Sequence, residues 1–374
     1  MKVVIAMDSF KGTLKADDAC EIVAKAISES IPEARLVVKP MADGGEGTAR
    51  AMIKAANGRW IPQTVMGPLP DMQVKAGFAW FEDDRTALVE MASASGLELL
   101  SAEQMNPLNT TTYGTGQLIK AALKYGAHKI LLAVGGSATV DGGLGAAMAL
   151  GWKFLDHQDN PVPLGGAGLE KITKIVRPEN LSLVPVEVLC DVDNPLCGEK
   201  GAAKVYGPQK GATDQMVEQL EKGLAHLADL VRKQLQRDID NVPGAGAAGG
   251  LAAGAIAFMN AAVVSGIETV MARSNLRAEL ESADWVITGE GSFDRQSLYG
   301  KVVSGILTMA SQSHTRLAVL AGQVNIPPEE YQNIGIATAI SCRDENMSLD
   351  YALKNSRELL YLAAKRFAKQ YLCH

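Results

Sequence analysis

The sequence predicts an α/β protein of two domains, one discontinuous and the other inserted into it. Three observations carry this reading. At 374 residues the chain exceeds the roughly 250–300 at which single cores stop growing. Near both chain ends, short unbroken apolar runs stop in glycine-rich polar loops and give way to helical periodicity, the doubly wound pattern of buried parallel strands. From Gly67 onward the pattern changes to alternating strands, and near Asp284 the doubly wound pattern returns. The first 65 or so residues hold too little material for a core, but joined to the last 90 they reach an ordinary domain size. The expected boundaries are therefore 1–66 plus 284–374 for the discontinuous domain and 67–283 for the insertion.

Taken in order, Val3-Val4-Ile5-Ala6-Met7 reads as a strand covered on both faces, with Asp8-Ser9-Phe10-Lys11-Gly12 as the loop at its end. Ala19, Ile22, Val23, Ala26 and Ile27 then recur at helical spacing up to Pro32. Leu36-Val37-Val38 is a second strand, ending in Ala42-Asp43-Gly44-Gly45-Glu46-Gly47-Thr48 and a helix closed by Gly58. Val74 to Phe81 and Thr86 to Met91 alternate around the Asp83-Asp84 turn. Ile130-Leu131-Leu132 delivers the loop Ala133-Val-Gly-Gly-Ser-Ala-Thr-Val-Asp-Gly-Gly-Leu-Gly145, followed by helix. Val186 to Cys190 is a further strand. Thr213 caps a long amphipathic helix whose stripe of Val217, Leu220, Leu224, Leu227, Val231 and Leu235 is core packing. Trp285-Val286-Ile287 runs into Thr288-Gly289-Glu290-Gly291, Leu317 to Leu320 into Ala321-Gly322, and Ile334 to Ile340 is the last strand before a closing helix.

Composition excludes several classes. A hydrophobic content of 47% with 21% charged residues describes a globular protein, and a net charge of −6 argues against a nucleic-acid partner. Cys20, Cys190, Cys197, Cys342 and Cys373 show no C-x-x-C spacing, which fits a reduced cytosolic protein. The uncharged stretch from Asn241 to Ile267 is interrupted by Pro243 and glycines, so buried Gly/Ala helices against a sheet are expected there, and no membrane span.

The chemistry must come from the loops at strand ends. The loop at Gly135-Gly136 can aim amide N–H groups at an anion, and a helix N-terminus favours phosphate; equally, it can be a tight turn that needs glycine for close packing. Gly244-Ala-Gly-Ala-Ala-Gly249 matches a dinucleotide fingerprint in letters only, since Asn241-Val242-Pro243 stands where a strand is required. No P-loop exists, for Gly300-Lys301 is followed by Val302. Nor is there a nucleophile elbow around Ser137, and the five histidines, His128, His157, His226, His314 and His374, lie outside the glycine loops. Any proton transfer would thus fall to a carboxylate. Asp8 with Lys11, Asp43 with Glu46, Asp141, Asp191 with Asp193, Lys210, Glu290, Asp294 and Lys301 sit mostly where apolar strands end. Acids beside glycine loops suit magnesium with phosphate oxygens, and lysines neutralise a transferring phosphate; the same acids also cap helices and satisfy loop amides.

Together these motifs resemble the bacterial glycerate kinases of the glycerate 2-kinase type. The resemblance is carried by Asp8-Ser-Phe-Lys-Gly12, Ala42-Asp-Gly-Gly-Glu-Gly-Thr48, Asn109-Thr-Thr-Thr-Tyr-Gly-Thr-Gly116, Gly135-Gly-Ser-Ala-Thr139 and Asp141-Gly-Gly143. Asp191, Asn194-Pro-Leu196, Gly207-Pro-Gln-Lys-Gly-Ala212, Pro243 to Gly250, Thr288-Gly-Glu-Gly291, Asp294, Gln296-Ser297 and Gly300-Lys301 continue it in order over essentially the whole chain. Met7, Val140, Ser292-Phe293 and Gln323-Val324 depart from residues common in the family. The resemblance implies a flavodoxin-like discontinuous domain and an inserted mixed α/β domain with the active-site cleft between them. It implies ATP-dependent, magnesium-assisted phosphorylation of D-glycerate in the cytoplasm, as part of sugar-acid catabolism, by a monomer or homodimer.

On that reading Asp191, Asp294 and Lys11 are the candidate catalytic residues, and Asp43 and Asp191 the candidate magnesium ligands. Ser9, Gly44, Gly45, Glu46, Gly135, Gly136, Ser137, Thr139, Lys210, Glu290 and Lys301 are expected to meet substrate or phosphate. The 2-hydroxyl is the expected acceptor; phosphorylation of the 3-hydroxyl, an NAD-dependent hydroxy-acid dehydrogenase and a non-catalytic sugar-acid sensor are the alternatives.

Overall fold

The computed structural model describes residues 1–298, 301–344 and 346–373. The chain packs into two units, Met1–Asp43 with Arg50–Gly58 and Ile267–His374, and Gly44–Ala49 with Arg59–Gly266.

In the first unit the Lys2–Ile5 strand is buried at every residue, because it lies inside a sheet covered on both faces. It pairs in parallel with Arg35–Val38 on one side and Trp285–Thr288 on the other, and Arg316–Ala321 and Ile336–Ser341 extend the sheet, also in parallel. Numbered along the chain, these five strands lie in the order 2-1-3-4-5. That is a doubly wound order, whose direction reverses between the first strand and the third. The Ala16–Ser30 helix turns Ala19, Ile22, Val23, Ala26 and Ile27 inward, and the Ser356–Phe367 helix adds Leu359, Leu360, Ala363 and Phe367 to the same core. Phe367 meets Trp285 edge to face, with ring centroids 5.1 Å apart.

The second unit holds a six-stranded mixed sheet in the order Ala262–Val264, Val186–Leu189, Lys129–Ala133, Thr86–Glu90, Gln73–Phe81 and Arg59–Met66. The first four strands are parallel, and Gln73–Phe81 runs antiparallel to both neighbours. The Asp214–Leu235 helix begins where Thr213 Oγ1 accepts a 3.3 Å hydrogen bond from Met216 N–H. Its Leu220, Leu224, Leu227 and Val231 are buried, as the stripe requires. The Ala247–Met259 segment is buried almost throughout, and among the described residues no helix is long and apolar enough to cross a membrane.

The unit boundaries lie elsewhere than at 66 and 284. Arg59–Met66 pairs residue by residue with Gln73–Phe81 and so belongs to the second unit, although Pro62 at mid-strand speaks against a strand. That proline is tolerated because the strand forms the sheet edge. At the other boundary, residues 267–283 join the first unit. Met271 packs against Gly305, and Lys2 Nζ donates to Glu279 O at 2.7 Å and Ser282 Oγ at 2.9 Å.

Candidate functional site

In open parallel sheets, ligands bind beyond the carboxyl ends of the strands where the order reverses. In the first unit that point lies between Lys2–Ile5 and Trp285–Thr288, and the two loops leaving it are tied together. Ala6 N–H donates to Ile287 O and Asp8 N–H to Gly289 O, at 2.8 and 2.9 Å. A side chain at Gly289 would overlap the Leu320 carbonyl, so the strand exit can be this tight only with glycine. Asp8, Ser9, Lys11 and Glu290 thus stand at the switch point. Burial pushes the Asp8 carboxyl up to about 7; the negative charges of Asp43 and Glu290 add to this, while the Ser9 amide and Lys11 oppose it. Burial likewise raises Glu290 against Ser297 and Lys301, and among the described residues its Oε1 has no hydrogen-bond partner.

Asp294 has a visible local task. Its Oδ1 accepts from Gln296 N–H at 2.8 Å and Ser297 N–H at 3.3 Å, capping the short Arg295–Leu298 turn. Lys301 begins the Val302–Ser313 helix, where its N–H donates to Ser304 Oγ at 3.1 Å. Gly300, beside it, and His374 lie outside the described residues.

In the second unit the carboxyl ends of the parallel strands again carry the polar groups. Glu90 ends the Thr86–Glu90 strand, and its carboxylate accepts from Gly47 N–H at 2.7 Å and Ala49 N–H at 3.1 Å, holding the loop that carries Gly44, Gly45 and Glu46. This loop abuts the one that follows Lys129–Ala133, since Gly135 N–H donates to Gly44 O at 3.3 Å. A Cβ on Gly135 would overlap Gly45 Cα, so two backbones approach where both need glycine. Ala138 N–H to Ser95 O, Leu97 N–H to Gly136 O and Thr110 Oγ1–H to Ala138 O pin the second loop.

Lys210 is 2% exposed. Its Nζ donates to Ser137 Oγ at 2.7 Å and to Thr139 O at 2.8 Å. Burial pulls its pKa down to about 7, against the charge of Asp141. Asp191, at the end of Val186–Leu189, is exposed; its Oδ1 accepts from Ser265 Oγ–H at 2.8 Å and Gly266 N–H at 3.1 Å.

The helix that follows the Gly135 loop is not a phosphate seat. It is the short Leu144–Ala149 segment, and Asp141 of the same chain occupies its N-terminus. The fully buried Asp141 carboxylate accepts from Gly143 N–H, Gly145 N–H, Thr112 N–H and the Thr112 hydroxyl at 2.8–3.2 Å. Burial raises its pKa and these donors oppose the rise. The Gly244–Gly249 run serves close packing. Ala248, Gly249 and Gly250 have φ of 55°, 65° and 86°, and a Cβ at Gly249 would overlap the Thr139 carbonyl.

The structure therefore gathers Asp8, Ser9, Lys11, Asp43, Glu290, Asp294 and Lys301 in the first unit, and Gly44, Gly45, Glu46, Gly135, Gly136, Ser137, Thr139, Asp191 and Lys210 in the second. Among the described residues no three His, Cys, Asp or Glu side chains are placed to hold a metal by themselves. Sequence reasoning passed over Glu90, whose only signal is a carboxylate closing an apolar strand.

The class that this structure defines is a two-unit α/β protein with acids, lysines and glycine loops at the carboxyl ends of its parallel strands. A model of the glycerate kinase family matches residues 3–372. The glycerate kinase of Halalkalibacterium halodurans is 43% identical over 370 residues, covering 98% of this chain and 97% of that one. The glycerate 2-kinase of Escherichia coli is 41% identical over 372 residues, covering 98% and 97%. A crystal structure from Salmonella typhimurium LT2, assigned as a glycerate kinase 2, superposes with a TM-score of 0.86 at 40% identity, over 99% of this chain and 97% of that one. The chain belongs to the glycerate kinase family and is a phosphotransferase.

Proposed function

We propose that the enzyme transfers the γ-phosphoryl group of ATP to the 2-hydroxyl of D-glycerate, giving 2-phosphoglycerate and ADP. The observation that carries this is the end-to-end relation, at 41% identity, to a protein named glycerate 2-kinase. Two sets of strand-end loops with unlike chemistry support it. The first unit offers acids and lysines at a sheet switch point, suited to a metal-bound phosphate; the second offers glycine loops and hydroxyls, suited to an anion's oxygens.

Magnesium takes one or two carboxylates and completes its shell with phosphate oxygens and water, so it needs no cage of three protein ligands, and none is found among the described residues. Asp43 would hold it, beside Asp8, with Asp191 as the other candidate ligand; when bound, the ion neutralises charge on the transferring phosphoryl group. Asp191 and Asp294 are the candidate bases for the glycerate hydroxyl, and Lys11, Lys301 and Glu290 orient the anions about them. Most of the catalysis then comes from positioning and charge stabilisation. The five unpaired cysteines support a cytoplasmic setting.

Incubation with ATP, magnesium and D-glycerate should release ADP. The product should be consumed by enolase alone; a requirement for phosphoglycerate mutase as well would assign the 3-hydroxyl instead.

A further inference from the structure

Ser137 and Lys210 form a pair whose proton arrangement follows from the charge of the lysine, and the ammonium form sets it. A lysine ammonium has three donors and no acceptor, whereas a serine hydroxyl has one donor and two lone pairs. At 2.7 Å, Lys210 Nζ therefore donates and Ser137 Oγ accepts. The serine's own hydrogen must leave in another direction, and among the described residues nothing accepts it. The lysine cannot swing out to meet a ligand itself. It is buried, its second hydrogen bond goes to Thr139 O, and its turn is fixed by Gly211, whose φ of 87° and contact with the Met105 carbonyl admit no side chain. Ser137, itself 9% exposed, follows the exposed Gly136 in the same loop. With the ammonium on one lone pair, the hydroxyl's hydrogen is directed away from Lys210 and stays available to donate, which suits an anion.

We propose that Ser137 donates its hydroxyl to an anionic oxygen of nucleotide or glycerate, and that Lys210 is the positioning residue that aims it and does not contact the anion. This rests on the reading of the Gly135 loop as an anion-binding loop. An anion that accepts from Ser137 in turn favours the ammonium form of Lys210, so ligand and lysine proton are bound cooperatively.

The test is a double-mutant cycle on the full chain, with S137A, K210M and the combined variant assayed for ADP release with ATP and D-glycerate. Each single change should lower kcat/KM by roughly 10–100-fold, the worth of a hydrogen bond to a charged group. S137A should act mainly by raising KM for one of the two anions. The combined variant should lose no more than about twice what the worse single loses, because both changes remove one donor. Multiplied losses would overturn the proposal by showing that Lys210 meets the anion independently. If K210M does not fold, S137T decides: it keeps the hydroxyl and should recover most of what S137A loses, and equal loss in both overturns the proposal. Tripolyphosphate serves as a second probe. It should raise the melting temperature of the unaltered chain more than that of S137A even if glycerate proves not to be the substrate, so failure of the activity and failure of this inference are told apart.

Discussion

At the scale of single residues, the polar groups divide into those that hold the fold and those with capacity left for a ligand. Asp141 is of the first kind, since every donor around it belongs to the chain. Asp294 commits one oxygen to nearby N–H groups and, among the described residues, keeps a second to spare; Asp191 stands exposed at a strand end, its Oδ1 accepting from Ser265 and Gly266. Exchange of either for asparagine should lower turnover by at least about a hundredfold if it serves as base, while the melting temperature falls by no more than a few degrees; near-normal turnover in both variants would remove them from the mechanism. Lys210 adds a pH signature. Its folded pKa of about 7 lies below the 10.5 of an unhindered lysine, so the unfolded chain binds the extra proton between those values. Stability from this group therefore rises with pH from about 7 toward 10.5. K210M should melt several degrees above the unaltered chain near pH 6–7, and the gap should narrow toward pH 10.

Elements show how much of this was legible beforehand. The buried parallel strands read plainly as apolar runs, and the Asp214–Leu235 helix as a stripe with its threonine cap, because burial on both faces or on one leaves a periodic trace in the sequence. Arg59–Met66 left almost none, being an edge strand of mixed polarity with a proline inside it. The candidate site was legible as residue types at strand ends. Its internal wiring was not: whether an acid serves a ligand or a loop amide depends on contacts between distant segments, as with Thr112 and Asp141 or Glu90 and Gly47. The glycines follow the same rule: Gly249 belongs to a run that matches a nucleotide motif in letters only, and its contact with the Thr139 carbonyl shows the packing it serves. G249A should cost about 2–4 kcal/mol in urea unfolding, from the overlap with Thr139 and a residue forced to positive φ. On the proposed function, G135A should instead reduce activity more than stability, because its Cβ pries apart the Gly44–Gly45 and Gly135–Gly136 loops.

On the scale of the whole molecule, each unit has its own aromatic core: Trp285 and Phe367 in the first, Trp152, Phe154 and Phe258 in the second. Truncation of Phe367 to alanine should cost about 3–5 kcal/mol within the first unit. Scanning calorimetry should then show the heat absorption broadened or split, with only one component moved; an undivided transition shifted as a whole would mean that the two cores melt as one.

The first strand finds its inner neighbour late. Lys2 and Asp284 are hydrogen-bonded across 282 positions, and at about 5–20 residues per second a ribosome needs roughly a quarter of a minute to a minute to cover that distance. Throughout that interval Val3, Val4 and Ile5 leave the exit tunnel with one edge bare, while the second unit's sheet, complete by Val264, can already close. The nascent chain therefore carries an apolar strand that lacks its inner neighbour for most of its synthesis, so slower translation should lengthen that interval in proportion.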